Sequence, residues 1–190
     1  MMMLNRRELI LVAGTTLVAG CSTSTGGTAD ADAKRREIEA AVDNAMAELY
    51  KEAPGSRELV DKARGVLVFP KVVSAGFVVG GSYGQGALRK GGTTTSYYSV
   101  GSGSVGLLAG AQSKAMYLLF MTAEALQKFE ASQGWTAGAD ASVVVANLGA
   151  NANIDTKTAQ QPIIGFVRSN AGFMANLSLD GTKFNKLTTL

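Results

Sequence analysis

Few residues in this 190-residue chain are suited to making or breaking bonds. Histidine is absent, which removes imidazole acid–base catalysis, serine–histidine–aspartate hydrolysis and histidine-ligated metal sites. Carboxylates after Gly65 are few and scattered, a poor basis for a metal cage or a paired-carboxylate glycosidase site. No Ser-x-x-Lys or Tyr-x-x-x-Lys spacing supplies a lysine-activated hydroxyl. Gly101-Ser102-Gly103-Ser104-Val105-Gly106 has the letters of a dinucleotide-binding fingerprint, but that fingerprint needs a helix N-terminus under the phosphates. The residues that follow, Leu107 to Met121, read as strand, so a glycine-rich hairpin is expected there instead. The expectation is a protein that is not an enzyme and holds neither cofactor nor metal.

One reactive side chain remains, the thiol of Cys21, and its surroundings are informative. Arg6-Arg7 precede an apolar run, Leu9 to Ala19, too short for a lasting membrane span and about right for a signal-peptide core. The run leads into Val18-Ala19-Gly20-Cys21, which resembles a bacterial lipobox. That resemblance implies cleavage after Gly20, a diacylglyceryl group on the Cys21 thiol and an acylated amine. Acyl burial stabilises by about 0.8 kcal/mol per methylene, and two or three chains hold firmly where one does not. Ser22 stands where an aspartate would retain a lipoprotein in the inner membrane, so the resemblance implies the periplasmic face of the outer membrane. Export by the general or the twin-arginine route stays open.

These groups need elements to carry them, and composition changes along the chain. The expected organisation is a signal peptide over 1–20, a lipidated cysteine with a Ser/Thr/Gly/Ala tether over 21–33, and one domain over 34–190. After Cys21 the basic surplus is two, and no basic stripe with interleaved aromatics appears, so nucleic acid is not an expected partner. Ile38, Val42, Ala45 and Leu49 form one helical face over Lys34 to Lys51, widened by Met46 and Tyr50, with Asp32 as the expected cap. Pro54-Gly55 should end that helix, and Ser56 should cap a shorter one with Leu59, Val60 and Ala63 inward.

From Gly65 onward, short β-branched and aromatic runs are cut by glycine. The pattern predicts a strand Gly65 to Pro70 stopped by its proline, and a pairing of Phe77–Gly81 with Gln85–Arg89. Strands over Thr94–Val100, Val105–Gln112 and Met116–Met121 follow, the last apolar on both sides. Thr122 should cap a helix burying Leu126 and Phe129, and two hairpins, Trp135 to Thr156 and Ile163 to Leu179, should end the chain. The expected fold class is α+β: a strongly curved or barrel-like antiparallel sheet, rich in glycine, with a few helices packed on it.

The ordered motifs are similar to those of a known family. Ala63-Arg64-Gly65-Val66-Leu67-Val68-Phe69-Pro70 resembles the opening signature of the SYLF lipid-binding domain. Ala75-Gly76-Phe77-Val78-Val79-Gly80-Gly81-Ser82-Tyr83-Gly84-Gln85-Gly86 resembles its glycine-rich signature. Gly106 to Gln112, Ala125-Leu126 with Phe129, Gly138 to Ser142 and Gly172-Phe173 continue the likeness, over roughly 34–186. Ser96-Tyr97-Tyr98-Ser99 replaces a tryptophan–serine–proline stretch of eukaryotic members and is similar to the bacterial lipoprotein form.

The resemblance implies a non-enzymatic envelope lipoprotein whose domain binds a phospholipid membrane. The expected contacts are Lys34, Arg35 and Arg36 at the start of the first helix, or else the glycine-rich strands around Phe77 and Tyr83. The competing expectation is a scaffolding lipoprotein that recruits a periplasmic protein through exposed Tyr97, Tyr98 or Trp135.

Overall fold

A computed structural model describes residues 28–76, 79–105, 110–146, 156–170, 172–174 and 177–190. Cys21, its signal segment and Phe77 lie outside the described residues. Helix α1 spans Thr28–Glu52 and α2 spans Ser56–Lys62, with strands β1 (Gly65–Gly76), β2 (Val79–Lys90), β3 (Thr93–Val105) and β4 (Gly110–Phe120) after them. Then come α3 (Ala123–Ala131), β5 (Trp135–Thr136), β6 (Val144–Val145), α4 (Thr156–Ala159), β7 (Ile163–Ser169), β8 (Gly172–Phe173) and β9 (Lys183–Leu187).

The strand order is β5-β9-β3-β2-β1-β4-β7-β6, with β8 added on β7. This α+β sheet curls strongly into a half-barrel. Its two end strands, β5 and β6, pair with β9 and β7 and not with each other. Every pairing is antiparallel except β6 with β7, so the sheet is mixed and not purely antiparallel as expected.

Both faces of the central strands are covered, which is why they read as continuous apolar runs. On one face, Val66, Val68, Ala87, Tyr117, Leu119, Ile164 and Phe166 pack against α1 and α2. The α1 stripe is the one its spacing predicts, with Ile38, Val42, Ala45, Met46 and Leu49 buried. The helix nevertheless starts at Thr28, inside the segment read as tether. Three alanines among its first six residues and Asp30 in the first turn favour that extension. Ser56 is the first residue of α2 and is buried; Gly55 holds the cap position without a side-chain bond.

On the other face, Leu67, Phe69, Leu88, Tyr98, Met116, Leu118 and Phe120 meet α3 and the chain end. Thr122 caps α3 as expected, its hydroxyl accepting from the Ala125 N–H at 3.2 Å. Phe129 from α3 is the hub, with ring centroids 4.8 Å from Phe120, 4.9 Å from Tyr98 and 5.5 Å from Trp135.

Proline does not stop β1. The register of β1 steps three residues while β2 and β4 step two, between Val68 and Lys71 against β2 and between Phe69 and Val72 against β4. One extra residue is thus accommodated around Pro70, a β-bulge that tolerates a residue with no N–H. Beyond it β1 continues to Gly76 and pairs with β2 from Gly80 to Arg89, so β2 is one long strand and the expected pairing of Phe77–Gly81 with Gln85–Arg89 does not form. Likewise Gly110 to Phe120 is a single strand. Trp135 pairs with Phe184 of β9, not across a local hairpin, and residues 147–155 lie outside the described residues. The expected hairpin from Ile163 does form, with Arg168 opposite Phe173, though its second strand is only Gly172–Phe173. Gly101 to Val105, the fingerprint-like stretch, is strand.

Candidate functional site

The bulge decides which side chains of β1 reach the helix-covered face. Strict alternation from Val68 would put Pro70, Val72 and Ser74 there. With one residue inserted, Lys71, Val73 and Ala75 take that face instead, opposite Gln85, Tyr83 and Gly81. Two glycines of β2 permit this close packing. A Cβ on Gly86 would stand 2.0 Å from the Val68 carbonyl oxygen, and one on Gly84 would stand 2.7 Å from that of Lys71.

Past the end of the α1 stripe, the face is open. Val73 is 41% exposed, Tyr83 56% and Val79 71%, the largest exposed apolar side chains described. Val73 and Tyr83 are register partners, and Val79 follows on the same side of β2, so they form one apolar strip toward the β1–β2 turn. Between this strip and α1 lies a groove of about 340 Å³ lined by Lys34, Ile38, Ala41, Lys71, Val73 and Tyr83, among others. Lys71 is exposed and makes no ion pair among the described residues.

Two of the residues singled out by sequence, Lys34 and Tyr83, therefore meet in one groove. Arg35 and Arg36 do not line it. Lys34 pairs with Glu37 at 2.9 Å and Arg35 with Asp32 at 2.9 Å along the helix, while Arg36 is exposed. Lys71 and Val73 escaped sequence reading because their facing depends on the bulge; the signal available was a proline inside an otherwise strand-like run.

The acidic residues of α1 have a structural use. Tyr97 donates to Glu39 at 2.5 Å, Arg89 to Asp43 at 2.6 Å, and Arg168 to Glu48 at 2.7 Å and to Glu52 at 2.9 Å. Tyr117 adds a bond to the Ala45 carbonyl at 2.9 Å. Side chains of β3, β2, β7 and β4 thus fix α1 on the sheet. Burial first, then the bond to Glu39, push the Tyr97 phenol up to about 12. Tyr98 and Trp135, expected to be exposed as a protein interface, are each 2% exposed in the aromatic core, and Tyr97 is half-buried in its bond to Glu39. That patch is not available on the surface.

Among the described residues no group of three or more acidic or cysteine side chains could hold a metal, and no helix is long and apolar enough to cross a membrane. The family model described as Ysc84, Las17-binding protein actin regulator, matches residues 101–189. That match supports a SYLF-domain family for this region. The matched part of the SYLF domain starts within β3 and ends after β9, while α1, α2, β1 and β2 precede it. These earlier elements share the one sheet and its two cores with the matched part. No curated protein matches the chain.

Proposed function

We propose that the SYLF domain binds a phospholipid membrane surface through the groove and apolar strip at the open end of β1 and β2. The observation that carries this reading is the strip itself, Val73, Tyr83 and Val79 exposed in a row beside Lys34 and the unpaired Lys71. Apolar side chains stabilise by entering the acyl boundary, and each cation near an anionic leaflet adds about 1 kcal/mol. SYLF is a family of binding domains without enzymatic activity, and no catalytic constellation is needed for this task. The lipobox-like segment supports a further part of the proposal: Cys21 carries a lipid anchor that holds the domain at the periplasmic face of the outer membrane.

The test is vesicle flotation of the chain from Ser22 onward. Burial of a whole valine side chain stabilises by about 1.5–3 kcal/mol, and Val79 keeps 71% of its surface free for that purpose. Val79→Ser with Tyr83→Ser should therefore weaken binding to anionic vesicles ten-fold or more. Unchanged flotation of the double variant with native circular dichroism would remove the strip from the contact. Cleavage and acylation at Cys21 are read by the mass of the protein extracted from membranes.

A further inference from the structure

The four central strands outrun their neighbours. β9 pairs with β3 only as far as Gly101, opposite Lys183, and β7 pairs with β4 only as far as Lys114, opposite Ser169. Past those points the order β3-β2-β1-β4 continues alone to Val105, opposite Val79, and to Gly110, opposite Gly76, about 13 Å further. The chain leading into β9 turns away from this tongue, Thr182 donating to the Leu179 carbonyl at 3.0 Å and Gly181 to that of Ala137 at 2.9 Å. After β7 the chain doubles back on the side away from β4, with Gly172 opposite Ser169. Among the described residues, therefore, the main chain of β3 from Ser102 to Val105, and of β4 from Gly110 to Ser113, has a strand partner on one side only.

Free sheet edges are normally guarded by charge, proline, a bulge or a cover. Residues 99–113, which hold both edges, contain no Asp, Glu, Lys, Arg or Pro. β3 keeps an unbroken register with β2 from Val105 to Ser96, so no bulge twists its edge away. β4 differs in having Lys114 at the foot of its free run, partly buried opposite Val72 and in no ion pair among the described residues. A strand laid along β4 would desolvate that ammonium further, which leaves β3 as the unguarded edge.

We propose that the Ser102–Val105 edge of β3 pairs antiparallel with the same edge of a second copy of this chain, about a two-fold axis at Gly103 normal to the sheet. Like charges opposite one another destabilise a strand pair, and this edge has none to oppose its own image. A strand entering beside Ser102 must stop or turn where Lys183 begins, and the free run of β3, which ends at Val105, meets that limit. A copy in the same direction would bring its β9 or β7 against the flank of the first, whereas an inverted copy clears both. Such a contact is self-complementary and closes at two copies. An axis normal to the sheet also turns both Val73–Tyr83–Val79 strips the same way, so the dimer would present twice the apolar surface to one plane. The pairing uses main chain at the edge and not that strip, and it stands or falls independently of the surface-binding proposal.

The experiment is sedimentation velocity of the chain from Ser22 onward, which keeps every described element, over a rising concentration series. The expected result is a monomer–dimer equilibrium. Gly103→Lys places its new Cβ where nothing lies within 4 Å, so circular dichroism should stay native while dimerisation weakens at least ten-fold. An equal mixture of Gly103→Lys and Gly103→Glu should recover the dimer, because the axis brings those two charges together. Gln112→Lys, which charges the β4 edge, should leave it intact, and so should Val79→Ser/Tyr83→Ser whatever that pair does to vesicle flotation. Gly103→Cys, the single cysteine once Cys21 is removed, should cross-link two copies under mild oxidation. A monomer at every concentration, a dimer indifferent to Gly103→Lys, or one broken by Gln112→Lys overturns the proposal.

Discussion

Gly86→Ala tests the bulge on which the facing of Lys71 and Val73 depends. A methyl there would meet the Val68 carbonyl oxygen at 2.0 Å and the Val68 carbonyl carbon and a Phe69 ring carbon at 2.8 Å. Ordinary contact begins near 3.4 Å, so β1 and β2 would have to part by roughly 1.4 Å at a point where Phe69 is fully buried. The obstacle is backbone, which no rotamer change relieves. Overpacking costs about 1–3 kcal/mol, and each ladder bond stretched beyond use costs about 0.5–1.5 kcal/mol more. The expected loss is about 3 kcal/mol, read as a shift of the urea midpoint at unchanged slope. Gly103→Ala is the matched control: it sits in β3 with nothing within 4 Å of its added carbon and should change stability by less than about 0.5 kcal/mol. If Gly86→Ala unfolds within about 0.5 kcal/mol of the parent, the strands are not held in this register and the derivation of the groove fails.

Two tyrosines on the central strands should respond in opposite directions to removal of their hydroxyls. Tyr117→Phe loses the bond to the Ala45 carbonyl and should destabilise by about 0.5–1.5 kcal/mol, whereas Tyr98→Phe removes a buried hydroxyl with no partner and should be neutral or stabilising in the same urea assay. Burial raises both phenols from 10 to about 12. The folded state therefore keeps protons that the unfolded chain has lost: stability is intact below pH 10 and declines as pH rises toward 12. Tyr117→Phe should shallow that decline, measured by urea unfolding at pH 9 and pH 11.5. Phe129→Ala empties the hub of the aromatic cluster and should cost about 3–5 kcal/mol by thermal or urea unfolding. Arg168 lowers the Glu52 carboxyl through their hydrogen bond, a contribution present above pH 4.5 and lost as pH falls below it, so Arg168→Gln should flatten the acid limb of the stability curve.

Sequence reading succeeded where one residue's surroundings follow from near neighbours. The α1 stripe from Ile38 to Leu49, the Thr122 cap and the doubly buried run ending at Phe120 all have a local period or a local bond behind them. It failed where a long-range pairing overrides a local sign. Pro70 reads as a stop, yet two flanking strands hold it inside β1 as a bulge. Trp135 reads as half of a local hairpin, yet its partner is Phe184, at the far end of the sequence. The site was half legible for the same reason. Lys34 and Tyr83 stand out by type, but Lys71 and Val73 join them only once the register is known. Glu39, Asp43, Glu48 and Glu52 look like a solvated face until the sheet supplies Tyr97, Arg89 and Arg168.

The fastening of α1 has a consequence for the order of events during synthesis. Arg168 lies 120 residues after Glu48 and 116 after Glu52, and β7 supplies Ile164 and Phe166 to the floor beneath the helix. At about 5–20 residues per second, some 6–24 s pass between the appearance of Glu48 and that of its cation. A helix in a protein gains most of its stability from packing, so through that interval the stripe Ile38, Val42 and Leu49 has the β1, β2 and β4 part of its seat without the β7 part. The first element made is thus completed only when one of the last arrives, and a nascent chain cut before Ile163 holds α1 against a floor that still lacks Ile164, Phe166 and the Arg168 that bonds Glu48 and Glu52.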